Sequence, residues 1–261
     1  MERTLSPRGR IIIALNCADP KVVQESRDAA HLLKKYVGGF LVHGTVRNEA
    51  NLAKMKDSLS KLEVPIFLDT TRSASDLNDA LKQAANVVKG GAATKFAFPL
   101  WYGEASIKTA LALSDSCEMI GIPLPKDCHN HTACLKRFGD GYSTTLCDHV
   151  RLFARLGGKA LFCTVQDITL LKRDLELQDI EQRRGFALRY LARGATGLFP
   201  QNLEGEPKAR ITPSMALRYG AELLVYSIED LDHPRHDPVS LVDRVESDIQ
   251  AFIHQLAASA N

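Results

Sequence analysis

The sequence carries no large excess of charge of either sign. Its 33 Lys and Arg residues are nearly balanced by 31 Asp and Glu residues, which leaves a formal net charge of +2. The basic residues are scattered along the chain, whereas a nucleic-acid-binding protein gathers them on one face or along one helix. We therefore expect no nucleic-acid partner.

Long apolar runs are also missing. No segment approaches the roughly 20 consecutive apolar residues that a membrane-spanning helix requires. The segment from Met1 to Arg10 carries charges and Pro7 where a secretory signal would have its apolar stretch. We expect a cytoplasmic location and no membrane partner.

Cysteine is too sparse to form a structural framework. Disulfide networks are typical of small secreted domains, whereas this chain of 261 residues is long enough to bury a sizeable core. We predict reduced thiols at the six cysteines, Cys17, Cys117, Cys128, Cys134, Cys147 and Cys163.

The chain shows no internal repeat and no Pro-, Ser- or Gly-rich linker that would divide it. Its length is close to the roughly 250 residues of a one-domain α/β barrel. We expect a single domain over residues 1–261, in which residues 1–9 form a short N-terminal extension.

Short apolar segments alternate with longer amphipathic ones. The first, from Arg10 to Leu15, contains a continuous apolar run that is typical of a strand buried on both faces. Further strand candidates are residues 39–43, 64–69, 94–98, 118–124, 160–165, 195–199 and 222–227. Eight strand–helix alternations predict a parallel (β/α)8 barrel, the TIM-barrel fold.

Several amphipathic segments have start and stop signals of helices. A capping side chain precedes a first-turn proline at residues 19–20, 212–213 and 237–238. Glycine pairs at 90–91 and 157–158 indicate helix ends. Apolar residues at three- and four-residue spacing predict helices over residues 75–88 and within residues 242–253.

Parts of this pattern resemble the orotidine 5′-phosphate decarboxylase superfamily. The similar segments are residues 12–16, 65–69 and 161–167, which resemble strands one, three and six, and residues 210–213 with 220–225, which resemble the approach to strand eight. The resemblance covers nearly the whole chain and rests on order and spacing. It implies a TIM barrel with lyase or decarboxylase chemistry in nucleotide metabolism, and a homodimer formed through the carboxyl ends of the strands. We expect no cofactor.

The superfamily's signature at the end of strand three is Asp-x-Lys-x-x-Asp, in which the lysine protonates the carbanion left by decarboxylation. Asp69 keeps the first carboxylate, but Thr71 stands at the lysine position and Ala74 at that of the second acid. Threonine is a poor proton donor at neutral pH, and Arg72 supplies charge but stays protonated. A shifted alignment would give Asp76 the second acidic role.

Other strand ends also depart from the family pattern. Asn16 stands where the family has an aspartate at the end of strand one, and His43 stands near its lysine of strand two. His43 is a candidate general acid or base, although a buried histidine that only bonds a neighbour is as common. Asp69 is the stronger candidate, since a strand-terminal carboxylate points to the barrel mouth in this fold.

No arginine follows strand eight to bind a phosphate, as one does in the family. Anion sites need hydrogen-bond donors more than one particular residue. Such donors are available at Gln201, Lys208, Arg210 and the Ser227 hydroxyl. The expected partner is a small-molecule substrate, phosphorylated or otherwise anionic.

The richest polar stretch follows strand five, within residues 125–142. Lys126 is a further acid–base candidate, while Asp127 and His129 are candidate substrate ligands. Gln166, just beyond strand six, is another. The simpler interpretation is a solvated loop whose histidines cap a following helix.

A metal site in the same stretch would use Cys128, His129 and His131. Their spacing matches no common structural zinc pattern, and adjacent residues of an extended segment point to opposite sides. We therefore expect no metal.

Three functional hypotheses remain open. The leading one is a diverged enzyme of this superfamily that performs lyase or proton-transfer chemistry, with Asp69 and either His43 or Lys126 as acid–base residues. The second is a catalytically silent homologue that binds a metabolite or a protein partner. The third is a true orotidylate decarboxylase that recruits its lysine from another position, such as Lys95 or Lys126.

Overall fold

Eight parallel strands form a closed barrel in the computed structural model, neighbouring one another in chain order. The strands are β1 (Ile11–Asn16), β2 (Gly39–His43), β3 (Ile66–Asp69), β4 (Lys95–Pro99), β5 (Glu118–Ile122), β6 (Ala160–Thr164), β7 (Arg189–Arg193) and β8 (Leu223–Ser227). The structure describes residues 6–16, 28, 30–43, 57, 61, 63–69, 77–90, 93–113, 117–124, 141–193, 213–227, 250–255 and 257–258. The predicted (β/α)8 TIM barrel is confirmed.

Helices connect the strands. They are α1 (Leu77–Gly90), α2 (Glu104–Ala112), α3 (Tyr142–Arg155), α4 (Val165–Leu171), α5 (Leu175–Arg184) and α6 (Pro213–Arg218), with 3-10 helices at Arg8–Arg10 and Leu100–Tyr102. Residues 30–33 and 250–255 are also helical. Helix α6 begins at the predicted proline and α1 ends at the predicted glycine, whereas the predicted starts at residues 19–20 and 237–238 lie outside the described residues.

Apolar side chains alternate between two buried clusters along each strand, as the two-residue repeat of a strand requires. On β1, Ile12 and Ala14 belong to the cluster that lines the barrel interior. Ile11, Ile13 and Leu15 belong to the cluster between strands and helices. Burial on both faces explains why β1 is a continuous apolar run.

Ion pairs link the amino-terminal ends of several strands. Lys95 begins β4 and Arg189 begins β7, and both pair with Glu118, the first residue of β5. Nearby, the Arg10 guanidinium donates a 3.2 Å hydrogen bond to the Glu222 carbonyl before β8. This end of the barrel is therefore held together by charge pairing.

The seventh strand was predicted wrongly. The sequence indicated residues 195–199, which lie outside the described residues, whereas β7 is Arg189–Arg193. Its short apolar centre is bounded by two arginines, so it lacks the long β-branched run by which the other strands are recognised. The arginine at its start is tolerated because it pairs with Glu118.

Strand β6 ends one residue earlier than predicted, at Thr164. The Thr164 hydroxyl accepts a hydrogen bond from the Asp167 amide, and the Asp167 carboxylate accepts one from the Thr164 amide. This reciprocal capping box starts α4 directly at Val165 and so terminates the strand.

The described cysteines Cys117, Cys147 and Cys163 are buried and form no disulfide. Burial raises the pKa of the Cys117 and Cys147 thiols to about 11, which disfavours the reactive thiolate. Within the described part of the chain, no helix has the length and apolar character needed to cross a membrane.

Asp174 joins helices α3 and α5. Its carboxylate caps α5 by accepting a 3.0 Å hydrogen bond from the Leu177 amide, and it accepts one of 2.5 Å from the Arg151 guanidinium of α3. Burial alone would raise the pKa of Asp174, but the hydrogen bonds from Leu177, Cys147 and Arg151 together lower it. The charged form therefore stabilises the fold.

Replacing Asp174 should separate its capping role from its charge. Asp174→Ala should lower the free energy of unfolding by about 1–2 kcal/mol, since both the cap and the ion pair are lost. Asp174→Asn keeps a capping side chain and should lose less. Because the folded pKa lies below the unfolded value of about 3.9, the advantage of wild type over Asp174→Asn should be full at neutral pH. It should shrink as the pH falls below about 4.

Urea unfolding of the three proteins between pH 7 and pH 3 measures these differences. Asp179→Asn is the matched control, because Asp179 is an exposed aspartate on the same helix. A wild-type advantage over Asp174→Asn that stays constant down to pH 3 would contradict the assigned pKa direction.

Candidate functional site

The interior side chains of the barrel lie in layers. In a barrel of eight tilted strands, the four interior residues at one height come from alternate strands. The next member of a layer is found by following the backbone pairing across two strands and then moving two residues towards the carboxyl end of the second strand. For example, Ala14 pairs with Leu41, Leu41 pairs with Phe67, and Asp69 lies two residues beyond Phe67. Applied round the barrel, this rule groups one residue from each odd-numbered strand: Ala14, Asp69, Ile122 and Arg193.

We call these four residues the upper layer, because they lie near the carboxyl ends of the strands. Two apolar layers lie beneath it. Their members are Leu41, Ala97, Phe162 and Val225, and then Ile12, Phe67, Ile120 and Leu191. Each lower layer contains a phenylalanine, so the barrel is filled below the upper layer and a ligand can approach only from above.

The upper layer differs from those beneath it because it contains a buried carboxylate. Asp69 is the last residue of β3 and only 4% exposed. The backbone register gives the remaining positions of the layer to Ala14, Ile122 and Arg193, the last residue of β7. Since a carboxylate is rarely buried in a barrel interior without a partner or a function, this layer is the floor of the candidate site.

Strand register also brings the predicted residues of the first three strands into one row. Asn16 pairs with His43, and His43 pairs with Asp69. Paired residues on adjacent strands are about 5 Å apart. The predicted neighbourhood of Asn16, His43 and Asp69 at the barrel mouth is therefore a property of the backbone pairing.

Four residues from the even-numbered strands form the rim above the floor: His43, Pro99, Thr164 and Ser227. On the β6 side, the rim is fixed by the capping box of Thr164 and Asp167. The Tyr142 hydroxyl also donates to the Asp167 carboxylate, which is 1% exposed. Tyr142 begins α3, so this bond ties the start of α3 to the end of β6.

An aromatic side chain borders the mouth on the β4 side. Trp101 is partly buried, packs against the interior cluster and lies 5.9 Å from the Tyr102 ring, centroid to centroid. It follows Pro99, the last residue of β4, by two positions. The mouth is therefore apolar on the β4 side, whereas β3 ends in the Asp69 carboxylate.

The structure locates only some of the predicted site residues. Asp69 is at the floor, Asn16, His43 and Ser227 are at strand ends, and Gln166 is exposed in the first turn of α4. The others lie outside the described residues: Thr71, Arg72, Lys126, Asp127, His129, Gln201, Lys208 and Arg210. The described residues contain no group of three metal-ligating side chains, and Cys128, His129 and His131 lie outside them.

Arg193 ends β7 at the carboxyl end of the barrel, a strand end that the sequence prediction missed. It was overlooked because strand seven was predicted at 195–199, which left Arg193 in the preceding connection. The signal that would have found it is the two-residue alternation from Arg189 through Leu191 to Arg193, in which charged residues flank one interior apolar residue.

No protein-family model matches the chain, and no curated protein sequence matches it. Among solved structures, an uncharacterized conserved protein from Geobacillus kaustophilus is 14% identical, with a TM-score of 0.59 over 91% of this chain and 99% of that chain. An orotidine 5′-phosphate decarboxylase from Lactobacillus acidophilus is 13% identical, with a TM-score of 0.56 over 92% of this chain and 98% of that chain. At these identities the similarity shows the fold alone: the chain has a TIM barrel that resembles that of an orotidine 5′-phosphate decarboxylase.

Proposed function

We propose that this chain is a diverged orotidine 5′-phosphate decarboxylase-like enzyme, a lyase or proton-transfer enzyme that acts on a small anionic or nucleotide-like metabolite. The observation that carries the proposal is the buried carboxylate of Asp69 at the floor of the mouth, beside His43 in the strand register. Carboxylate and imidazole are groups that enzymes use to move protons near neutral pH. The fold is one that builds its sites at this end of the barrel.

Asp69 is the proposed base. A carboxylate at the floor of the mouth is placed to remove a proton from a carbon next to a carbonyl or heterocycle of a ligand that enters from above. His43 or Lys126 then donates a proton to the atom on which negative charge develops. Lysine is absent from the signature position on strand three, so this chemistry differs from the family's decarboxylation.

The remaining proposed residues surround this centre. Thr71 and Arg72 follow β3 in the chain and supply a hydroxyl and a fixed positive charge. Asn16 and Ser227 are proposed substrate ligands at the ends of β1 and β8. The other proposed ligands are Asp127, His129, Gln166, Gln201, Lys208 and Arg210.

The alternative function, a true orotidylate decarboxylase, requires a relocated lysine, for which Lys95 and Lys126 are the candidates. The position of Lys95 argues against it. Lys95 begins β4 at the amino-terminal end of the barrel and pairs with Glu118 there. Burial and the nearby Arg189 lower the pKa of Lys95, which would suit a proton donor, but the residue lies below the apolar layers that separate it from Asp69. Lys126 is then the candidate left for that mechanism.

Asp69→Asn tests the proposed base. Wild type is first screened by thermal shift against orotidine and uridine monophosphates, their nucleosides and a set of sugar phosphates. Each compound that binds is then incubated in D2O and followed by NMR for exchange of carbon-bound hydrogen or loss of carbon dioxide. Asp69→Asn should bind the same compound and react about 10²- to 10⁴-fold more slowly, the usual contribution of a general base.

The control is again Asp179→Asn, which removes an exposed carboxylate from α5 and should react like wild type. Binding without any turnover by wild type would favour the silent homologue. Turnover by Asp69→Asn at the wild-type rate would refute the assigned role of Asp69.

Lys95→Met tests the relocated-lysine alternative. The substitution keeps the length of the side chain but leaves Glu118 with Arg189 alone, so it should lower the thermal midpoint by a few degrees through loss of a partly exposed ion pair. Binding and turnover of any compound found in the screen should not change. A loss of orotidine monophosphate turnover with an unchanged thermal midpoint would instead make Lys95 catalytic.

A further inference from the structure

A cavity of about 310 Å³ lies between two helices of the outer layer, at the carboxyl ends of α3 and α5. Its described lining consists of Arg155 from α3 and of Ile180, Arg183 and Arg184 from α5. Because α3 leads into β6 and α5 leads into β7, the cavity adjoins the amino-terminal ends of the strands. This arginine cavity is therefore at the opposite end of the barrel from the mouth.

The three arginines are brought together by folding. They come from two helices that pack side by side, and Arg184 donates a hydrogen bond across the gap to the Arg155 carbonyl. The Arg155 guanidinium pairs with Glu176, near the start of α5. These contacts hold two of the three guanidinium groups in place, so less side-chain freedom is lost when a ligand binds.

Positive charge exceeds negative charge around the arginine cavity. Among the described residues, Glu176 pairs with Arg155, whereas no carboxylate forms an ion pair with Arg183 or Arg184. The Arg183 Nε donates a 3.2 Å hydrogen bond to the Asp179 carbonyl of its own helix. Cations at a helix end favour the local dipole, but each guanidinium has five N–H donors, and the contacts of Arg183 and Arg184 use one donor each. The other donors can serve a ligand.

The floor of the arginine cavity is apolar. Ile180 is 3% exposed and packs in the core between helices and strands. An apolar floor keeps water from one side of a bound anion, which strengthens its attraction to the guanidinium groups compared with an open surface. The volume is at the lower end of the range for small-molecule sites, so it suits a compact ligand.

We propose that the arginine cavity binds a small polyphosphate, a compact ligand of two or more linked phosphates, through Arg155, Arg183 and Arg184. One guanidinium fork is enough for a planar carboxylate. Three guanidinium groups around one cavity instead match the non-planar anionic oxygens of linked phosphates. The site goes beyond the proposed function, because a ligand bound here is separated from Asp69 by the apolar layers of the barrel.

The test measures binding of pyrophosphate to the full chain by titration calorimetry, in buffer without divalent cations. Arg183→Gln is the first variant, since Arg183 is exposed and its described hydrogen bond lies within its own helix. The substitution should weaken pyrophosphate binding about 10- to 100-fold, as expected for losing a charge-assisted hydrogen bond. Arg173→Gln is the matched control: it removes the same charge from an exposed position outside the cavity and should bind like wild type.

Chemical modification of arginine locates the bound anion without any substitution. Phenylglyoxal reacts with exposed guanidinium groups, and peptide mass spectrometry reads the extent of reaction at each one. Pyrophosphate should protect Arg155, Arg183 and Arg184, whereas Arg173 should react at an unchanged rate.

Four probes define the ligand class. Inorganic phosphate and citrate, a compact tricarboxylate, should both bind more weakly than pyrophosphate. ADP carries the same linked phosphates on a nucleoside: tighter binding of ADP would assign the site to nucleotides, and weaker binding would assign it to free polyphosphate, with the same arginines used in either case.

The proposal is overturned if wild type binds no pyrophosphate, or if citrate binds more tightly than pyrophosphate. It also fails if Arg173→Gln weakens binding as much as Arg183→Gln does, since that would indicate a general effect of surface charge. Protection of arginines outside the cavity, with Arg183 and Arg184 still reactive, would place the bound anion elsewhere.

Discussion

The hydrogen-bond register of the closed barrel is the constraint on which the rest of the structure depends. Once eight parallel strands close with a fixed stagger, the height of every interior residue is determined by its position in its own strand. A shift of one residue in one strand would turn its interior side chains outward. The layer that contains Asp69 and Arg193 is therefore a consequence of pairing over the whole ring, and neither residue has to contact the other for their heights to match.

The register also separates the charged residues at the amino-terminal end of the barrel from the carboxylate near the carboxyl ends of the strands. At the amino-terminal end, Glu118 is shared by Lys95 and Arg189, so the charges are neutralised by partners within the protein. Near the carboxyl ends, Asp69 is the buried last residue of β3. Two apolar layers lie between it and the lower ion pairs, so the two sets of charges are not in contact.

Much of the fold could be predicted from the sequence because buried parallel strands are continuous apolar runs, and seven of the eight strands have such a run. Strand β7 could not, since its interior positions at both ends are arginines and its apolar centre is short. The strand ends that carry the predicted residues were predictable for the same reason. Asp69, His43 and Asn16 each end a recognisable strand, so the pairing of their backbones followed from strand order. Arg193 ends the strand that was misplaced, and its height depends on long-range register that no local pattern contains.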